Sequence, residues 1–142
     1  VRKVLNFIDV IETVDSLKLA NRINLISKEM NKITSVFLQV NTGEDPAKFG
    51  FTLNEILNSA EEISNLENLT LSGVMTIPPF VNDQNFLSPI FDTTRKIRDK
   101  IRKVINPNCN NLSMGMSRDF ELAIKHGATH IRLGTILFGE RN

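Results

Sequence analysis

Two rhythms alternate along this chain. Short, nearly continuous apolar runs read as strands covered on both faces, and longer stretches with apolar residues three and four apart read as helices packed by one side. Val1, Val4 and Leu5 keep helical spacing, so the chain opens inside a helix. A strand with acidic interruptions is predicted over Phe7–Thr13, then a helix from about Ser16 with Leu19, Ala20, Ile23, Ile26 and Met30 on one face. Thr34–Asn41 is the next strand, followed by the loop TGEDPAKFG, which Gly43, Pro46 and Gly50 punctuate. Thr52 opens a helix, Glu55 completes a capping box, and Leu53, Ile56, Leu57, Ala60 and Ile63 form the buried stripe. A strand over Leu69–Ile77 stops at Pro78-Pro79. The long helix after it turns Leu87, Ile90, Phe91, Thr94, Ile97, Ile101 and Val104 to one side and Arg95, Lys96, Lys100, Arg102 and Lys103 to the other.

The last part of the pattern holds two strand-to-turn passages. Leu112–Ser117 runs into a helix with apolar Phe120, Ala123 and Ile124, closed by His126 in the last turn and Gly127 after it. His130–Thr135 is a short strand ending in glycine and a hydroxyl residue. Strands and helices that alternate in this way imply a parallel α/β sheet with helices outside. Such sheets place ligands at the carboxyl ends of their strands, where Asn41, Met75, Ser117 and Thr135 fall.

Together the two terminal passages make an anion site. Ser117 stands at a helix N-cap, where free N–H groups and the positive end of the helix dipole gather beside its hydroxyl. Gly134 lets backbone approach a ligand, and Thr135 adds an N–H and a hydroxyl. Arg132 leaves the strand on the same face as Gly134, two residues on. A ligand with a phosphate and a nearby acceptor atom suits these groups.

Composition narrows the setting. A chain of 142 residues with 41% hydrophobic residues, 23% charged residues and net charge +1 is a single domain, 1–142, with a substantial core. Nothing in it asks for nucleic acid: Asp92 and Asp99 dilute the basic helix face, and no aromatic residues interleave. No apolar run approaches the ~20 residues of a membrane helix, and the opening lacks the layout of a signal peptide. The lone cysteine, Cys109, cannot form an internal disulfide and fits a reducing, cytoplasmic compartment. No metal-ligand cluster stands out.

LSMGMSRDFELAIKHGATHIRLGTILFGER, from Leu112 to Arg141, resembles the C-terminal signature of the YggS/PROSC family of pyridoxal phosphate homeostasis proteins. VNTGEDPAKFGF and LSGVMTIPP resemble earlier stretches of the same family. The resemblance implies a (β/α)8 TIM-barrel of the alanine racemase N-terminal domain type, here incomplete, with about strands four to eight and their helices. It implies pyridoxal 5′-phosphate as cofactor, a role in vitamin B6 and amino-acid homeostasis, and no established catalysis. Carried over, Ser117 and the backbone of Gly134 and Thr135 hold the phosphate and Arg132 faces the pyridine nitrogen. Met116 and Gly115 shape the turn, and Met75 and Asn41 are neighbours of the ring.

The family's cofactor-binding lysine has no counterpart here: Lys48 is in a loop, and the other lysines read as helix or helix-flank surface. Tyrosine, the usual acid/base partner in racemases, is absent, so catalytic residues are expected to be none. Two other readings stay open: a fragment of a racemase-like enzyme that uses pyridoxal phosphate, and a truncated remnant or interaction module that binds no cofactor. Apolar strands near Phe7–Thr13 and Ile131–Leu133 would be unpaired edges of the sheet, which invite self-association.

Overall fold

The computed structural model describes residues 1–139; the last three residues, Glu140, Arg141 and Asn142, and with them the end of the Leu112–Arg141 motif, lie outside the described residues. In chain order the elements are α1 (Arg2–Leu5), β1 (Val10–Val14), α2 (Leu17–Glu29), β2 (Thr34–Gln39), α3 (Ile56–Ser64) and β3 (Leu69–Met75). They continue with α4 (Gln84–Val104), β4 (Asn111–Met116), α5 (Phe120–Lys125), β5 (His130–Arg132) and α6 (Thr135–Phe138). The 5 strands form one sheet in the order β1-β2-β3-β4-β5, every pair parallel. This is the α/β alternation expected, realised as part of a barrel wall.

Apolar alternation decides which face each strand gives to the helices. Val36, Leu38 and Val40 on and after β2, Leu69, Leu71 and Val74 on β3, and Leu112 and Met114 on β4 are buried in one cluster with residues of α2, α3, α4 and α5. The opposite face is concave, and its side chains meet across it. The rings of Phe37 on β2 and His130 on β5 pack edge to face at 5.4 Å. Ser113 on β4 donates a hydrogen bond of 2.6 Å to Glu12 on β1. In a flat sheet, strands three positions apart stand about 14 Å from one another, beyond the reach of a serine and a glutamate. The wall is therefore strongly curled. Register shifts between Ile11 and Val14, Val36 and Phe37, and Ser113 and Met116 accompany the bend.

Helix ends follow local chemistry. Ser16 caps α2 by accepting from the Leu19 N–H. Thr52 accepts from the Glu55 N–H at 3.3 Å, half of the expected capping box, and a turn leads from there into α3. α5 closes at His126 with Gly127 at φ +92, as its sequence predicts.

Three expectations need correction. β1 starts at Val10, and Phe7 lies outside it with 87% of its surface exposed, because the chain is still turning out of α1 there. Val104 is exposed on α4; the buried position falls instead to Arg98, whose guanidinium donates to Asn110 O at 2.5 Å and to Asp99. Gly134 and Thr135 do not extend a strand. Thr135 is the first residue of α6, a helix absent from the sequence reading.

Candidate functional site

A cleft of about 670 Å³ opens beyond the carboxyl ends of β3, β4 and β5. Met116, Ser117, Gly134 and Thr135 line it, together with Pro79 and Phe80. The turn after β4 builds its floor. The Asp119 carboxylate accepts from the Met116 N–H at 2.6 Å, and the Asp119 N–H donates back to Met116 O at 3.0 Å. Asp119 thus closes the turn and flanks α5, with no side-chain cap bond to that helix.

This arrangement overturns the expected role of Ser117 as the cap of α5. With Asp119 holding the turn, the Ser117 hydroxyl points to the neighbouring strand end, where it accepts from the Gly134 and Ile136 N–H groups, each at 3.3 Å. The backbone donors that matter belong to the start of α6. A Cβ built on Gly134 would meet nothing within 4 Å, so the protein's own packing does not require glycine there. Gly115 is the opposite case. It has φ +100, and a Cβ would lie 2.7 Å from that of Ala123, so glycine lets α5 lie close on β4 and faces no ligand space.

Arg132 lies deeper, on the concave face. Its guanidinium donates to the Ser113 hydroxyl at 2.6 Å and to Thr76 O at 2.9 Å. Burial lowers its pKa, and the nearby Glu12 and Asp119 carboxylates act against that. Asn41 and Met75 stand elsewhere. Asn41 is engaged in its own loop, donating to Asp45 O and accepting from the Asp45 N–H, and Met75 is fully buried at the end of β3. The structure therefore gathers Met116, Ser117, Gly134 and Thr135, sets Arg132 on the adjoining interior, keeps Gly115 behind the site, and leaves Asn41 and Met75 out of the cleft.

Two features escaped the sequence. The Arg118 guanidinium lies 4.1 Å from the centroid of the Phe80 ring on the cleft wall. Arg118 directly follows Ser117 and Phe80 directly follows two prolines, but no periodicity marks either as a pair. Glu12, read only as an acidic break in an apolar strand, faces the barrel interior. That break was the available signal.

Other chemistry is limited. Among the described residues no group of three or more His, Cys, Asp and Glu could hold a metal ion, and no helix is long and apolar enough to cross a membrane. Cys109 is wholly buried, and desolvation pushes its thiol up to about 12 against the opposing pull of Arg98 and Arg102. Lys32, expected on a helix flank, is tied down: its ammonium donates to Leu5 O and Ile8 O at 2.9 and 2.8 Å.

Residues 1–142 match the family described as "Alanine racemase, N-terminal domain". The chain is 36% identical over 141 residues to the pyridoxal phosphate homeostasis protein of Aquifex aeolicus (strain VF5), covering 99% of this chain and 62% of that one. It superposes on an unknown protein from Bifidobacterium adolescentis with TM-score 0.92 and 37% identity, covering 96% of this chain and 55% of the other. For PipY of Synechococcus elongatus PCC7942 with PLP bound, the TM-score is 0.88 and the identity 32%, over 97% of this chain and 64% of that one. The chain thus spans about three-fifths of the length of the proteins it matches.

Proposed function

The chain belongs to the alanine racemase N-terminal-domain family, and from that premise we propose that it binds pyridoxal 5′-phosphate and serves vitamin B6 and amino-acid homeostasis in the cytoplasm without catalysing a reaction. One observation carries this reading: the Ser117 hydroxyl and the Gly134 and Ile136 N–H groups converge at one point on the wall of the cleft. Backbone donors at a helix start beside a hydroxyl suit phosphate oxygens, and the open space off Gly134 gives a phosphate room to approach.

In this reading Ser117, Gly134 and Thr135 hold the phosphate, Met116 lines the cleft, and Arg132 serves the pyridine nitrogen from the interior. The cofactor when bound supplies an aldehyde and an electron-accepting ring. A permanently protonated guanidinium at the nitrogen keeps that ring a weak electron sink, which suits storage or delivery better than catalysis. No lysine lines the cleft among the described residues, so binding here is non-covalent. The similarity to proteins named for pyridoxal phosphate homeostasis, and to PipY with PLP bound, supports the same conclusion. The correspondence of the 5 strands to the fourth to eighth of a barrel is also part of the proposal, resting on the terminal motif.

An absorbance titration of this chain with pyridoxal 5′-phosphate, followed by borohydride and intact mass, tests it. We expect saturable binding with no covalent adduct, weakened about tenfold or more in Ser117→Ala, as loss of a hydrogen bond to a charged group implies. An adduct on one lysine would overturn the non-covalent claim. Absence of binding, or binding indifferent to Ser117, would overturn the site.

A further inference from the structure

Four elements meet at one point on the concave face. Arg132 of β5 donates to the Ser113 hydroxyl of β4 at 2.6 Å, and that hydroxyl donates to a Glu12 carboxylate oxygen of β1 at 2.6 Å. The second guanidinium nitrogen donates to the carbonyl of Thr76, just past β3, at 2.9 Å. Ser113 and Thr76 are fully buried. One hydroxyl therefore accepts from a cation and donates to an anion, an alignment in which each bond polarises and strengthens the other. Serine has a single proton, so this orientation is the one that satisfies both neighbours at once.

We infer that Glu12 and Ser113 are positioning residues that hold the Arg132 guanidinium on the concave face and offset its charge from across the sheet. The inference rests on the reading of the cleft as a pyridoxal phosphate site and specifies how its ring end is built. Arginine has a long, rotatable side chain. With Ser113 and Thr76 fixing two of its nitrogens, its remaining donors keep a set direction, and Glu12 balances a charge that burial would otherwise penalise. Glu12 reaches Arg132 through Ser113, so the two substitutions should act on one path. The phosphate end, at Ser117 and Gly134, uses a separate set of donors. The two ends can therefore be perturbed independently.

The test compares two probes on this chain, pyridoxal 5′-phosphate and inorganic phosphate, in the wild type, Glu12→Gln, Ser113→Ala, the double variant and Ser117→Ala. We expect Glu12→Gln and Ser113→Ala each to weaken pyridoxal phosphate by about tenfold while phosphate affinity stays within about twofold. The double variant should be no weaker than Ser113→Ala alone, as for residues on one path. Ser117→Ala should weaken both probes. Nitrogen NMR of the Arg132 side chain supplies a readout that needs no ligand: restricted guanidinium rotation in the wild type, and freer rotation in both variants. Glu12→Gln keeps an acceptor in place and serves should Ser113→Ala fail to fold. Unchanged rotation and unchanged pyridoxal phosphate affinity in Glu12→Gln would overturn the positioning role. A parallel loss for both probes would overturn it too, as general damage. Failure of the wild type to bind pyridoxal phosphate, or indifference to Ser117→Ala, would overturn the parent reading; the NMR result would then decide the positioning claim alone.

Discussion

A methyl group at position 115 has nowhere to go. It would stand 2.7 Å from the Ala123 methyl on a residue held at φ +100. We expect Gly115→Ala to destabilise the fold by about 2 kcal/mol or more, with backbone strain and the clash both contributing. A urea midpoint equal to that of the wild type would rule this account out. Cys109 makes a kinetic prediction from the same kind of enclosure. Wholly buried, with a thiol pushed up to about 12, it should react with a thiol reagent orders of magnitude more slowly in the native chain than in denaturant. Asp92 on α4 carries a small acid sensitivity. Hydrogen bonds from Lys96, then Arg95, lower its carboxyl from 3.8 to about 2. A depressed carboxylate stabilises fully above 3.8 and loses that contribution as pH falls through about 2. Because the pairs sit at the surface, the effect is under about 1 kcal/mol. Asp92→Asn should lower the melting temperature slightly at pH 7 and leave it unchanged below pH 2.

Among the elements, α2 is the cleanest case of sequence reading. The Ser16 hydroxyl accepts from the Leu19 N–H, where the pattern starts the helix, and Ser16→Ala should cost about 1 kcal/mol in a thermal or urea melt. The alternation of strand and helix was equally legible, and so was β2, where burial on both faces leaves a nearly continuous apolar run; the bounds of β1 and β5, which are less buried, were not. Two things were hidden for physical reasons. Arg98 looks like surface by type, and its hydrogen bonds to Asn110 O and to the Asp99 carboxylate make an inward position tolerable. Ser117 reads as the N-cap of α5, but Asp119 stands at that position in the structure. In the structure Asp119 bonds Met116, which frees Ser117 to reach α6. Of the candidate site, the terminal motif was readable because its residues lie close along the chain. Met75 and Glu12 depended on contacts between distant segments, and Asn41 on bonds to Asp45 within its own loop, none of which strand-end position alone reveals.

At the scale of the molecule, the sheet keeps β1 and β5 at its two ends, each paired on one side only among the described residues. Unpaired strand edges recruit other strands. We expect this chain to self-associate in a concentration-dependent way in sedimentation; a single monomeric species from micromolar to millimolar concentration would contradict that. The curl that brings Glu12 to Ser113 also presses the Phe37 ring against His130. An aromatic ring 5.4 Å away shifts the magnetic environment of the imidazole, so the carbon-bound proton resonances of His130 should stand apart from those of a free histidine. With only one other histidine in the chain, those resonances are easily assigned by substitution. Their drift towards free-histidine positions on warming would report the wall flattening, strand against strand, before the helices melt.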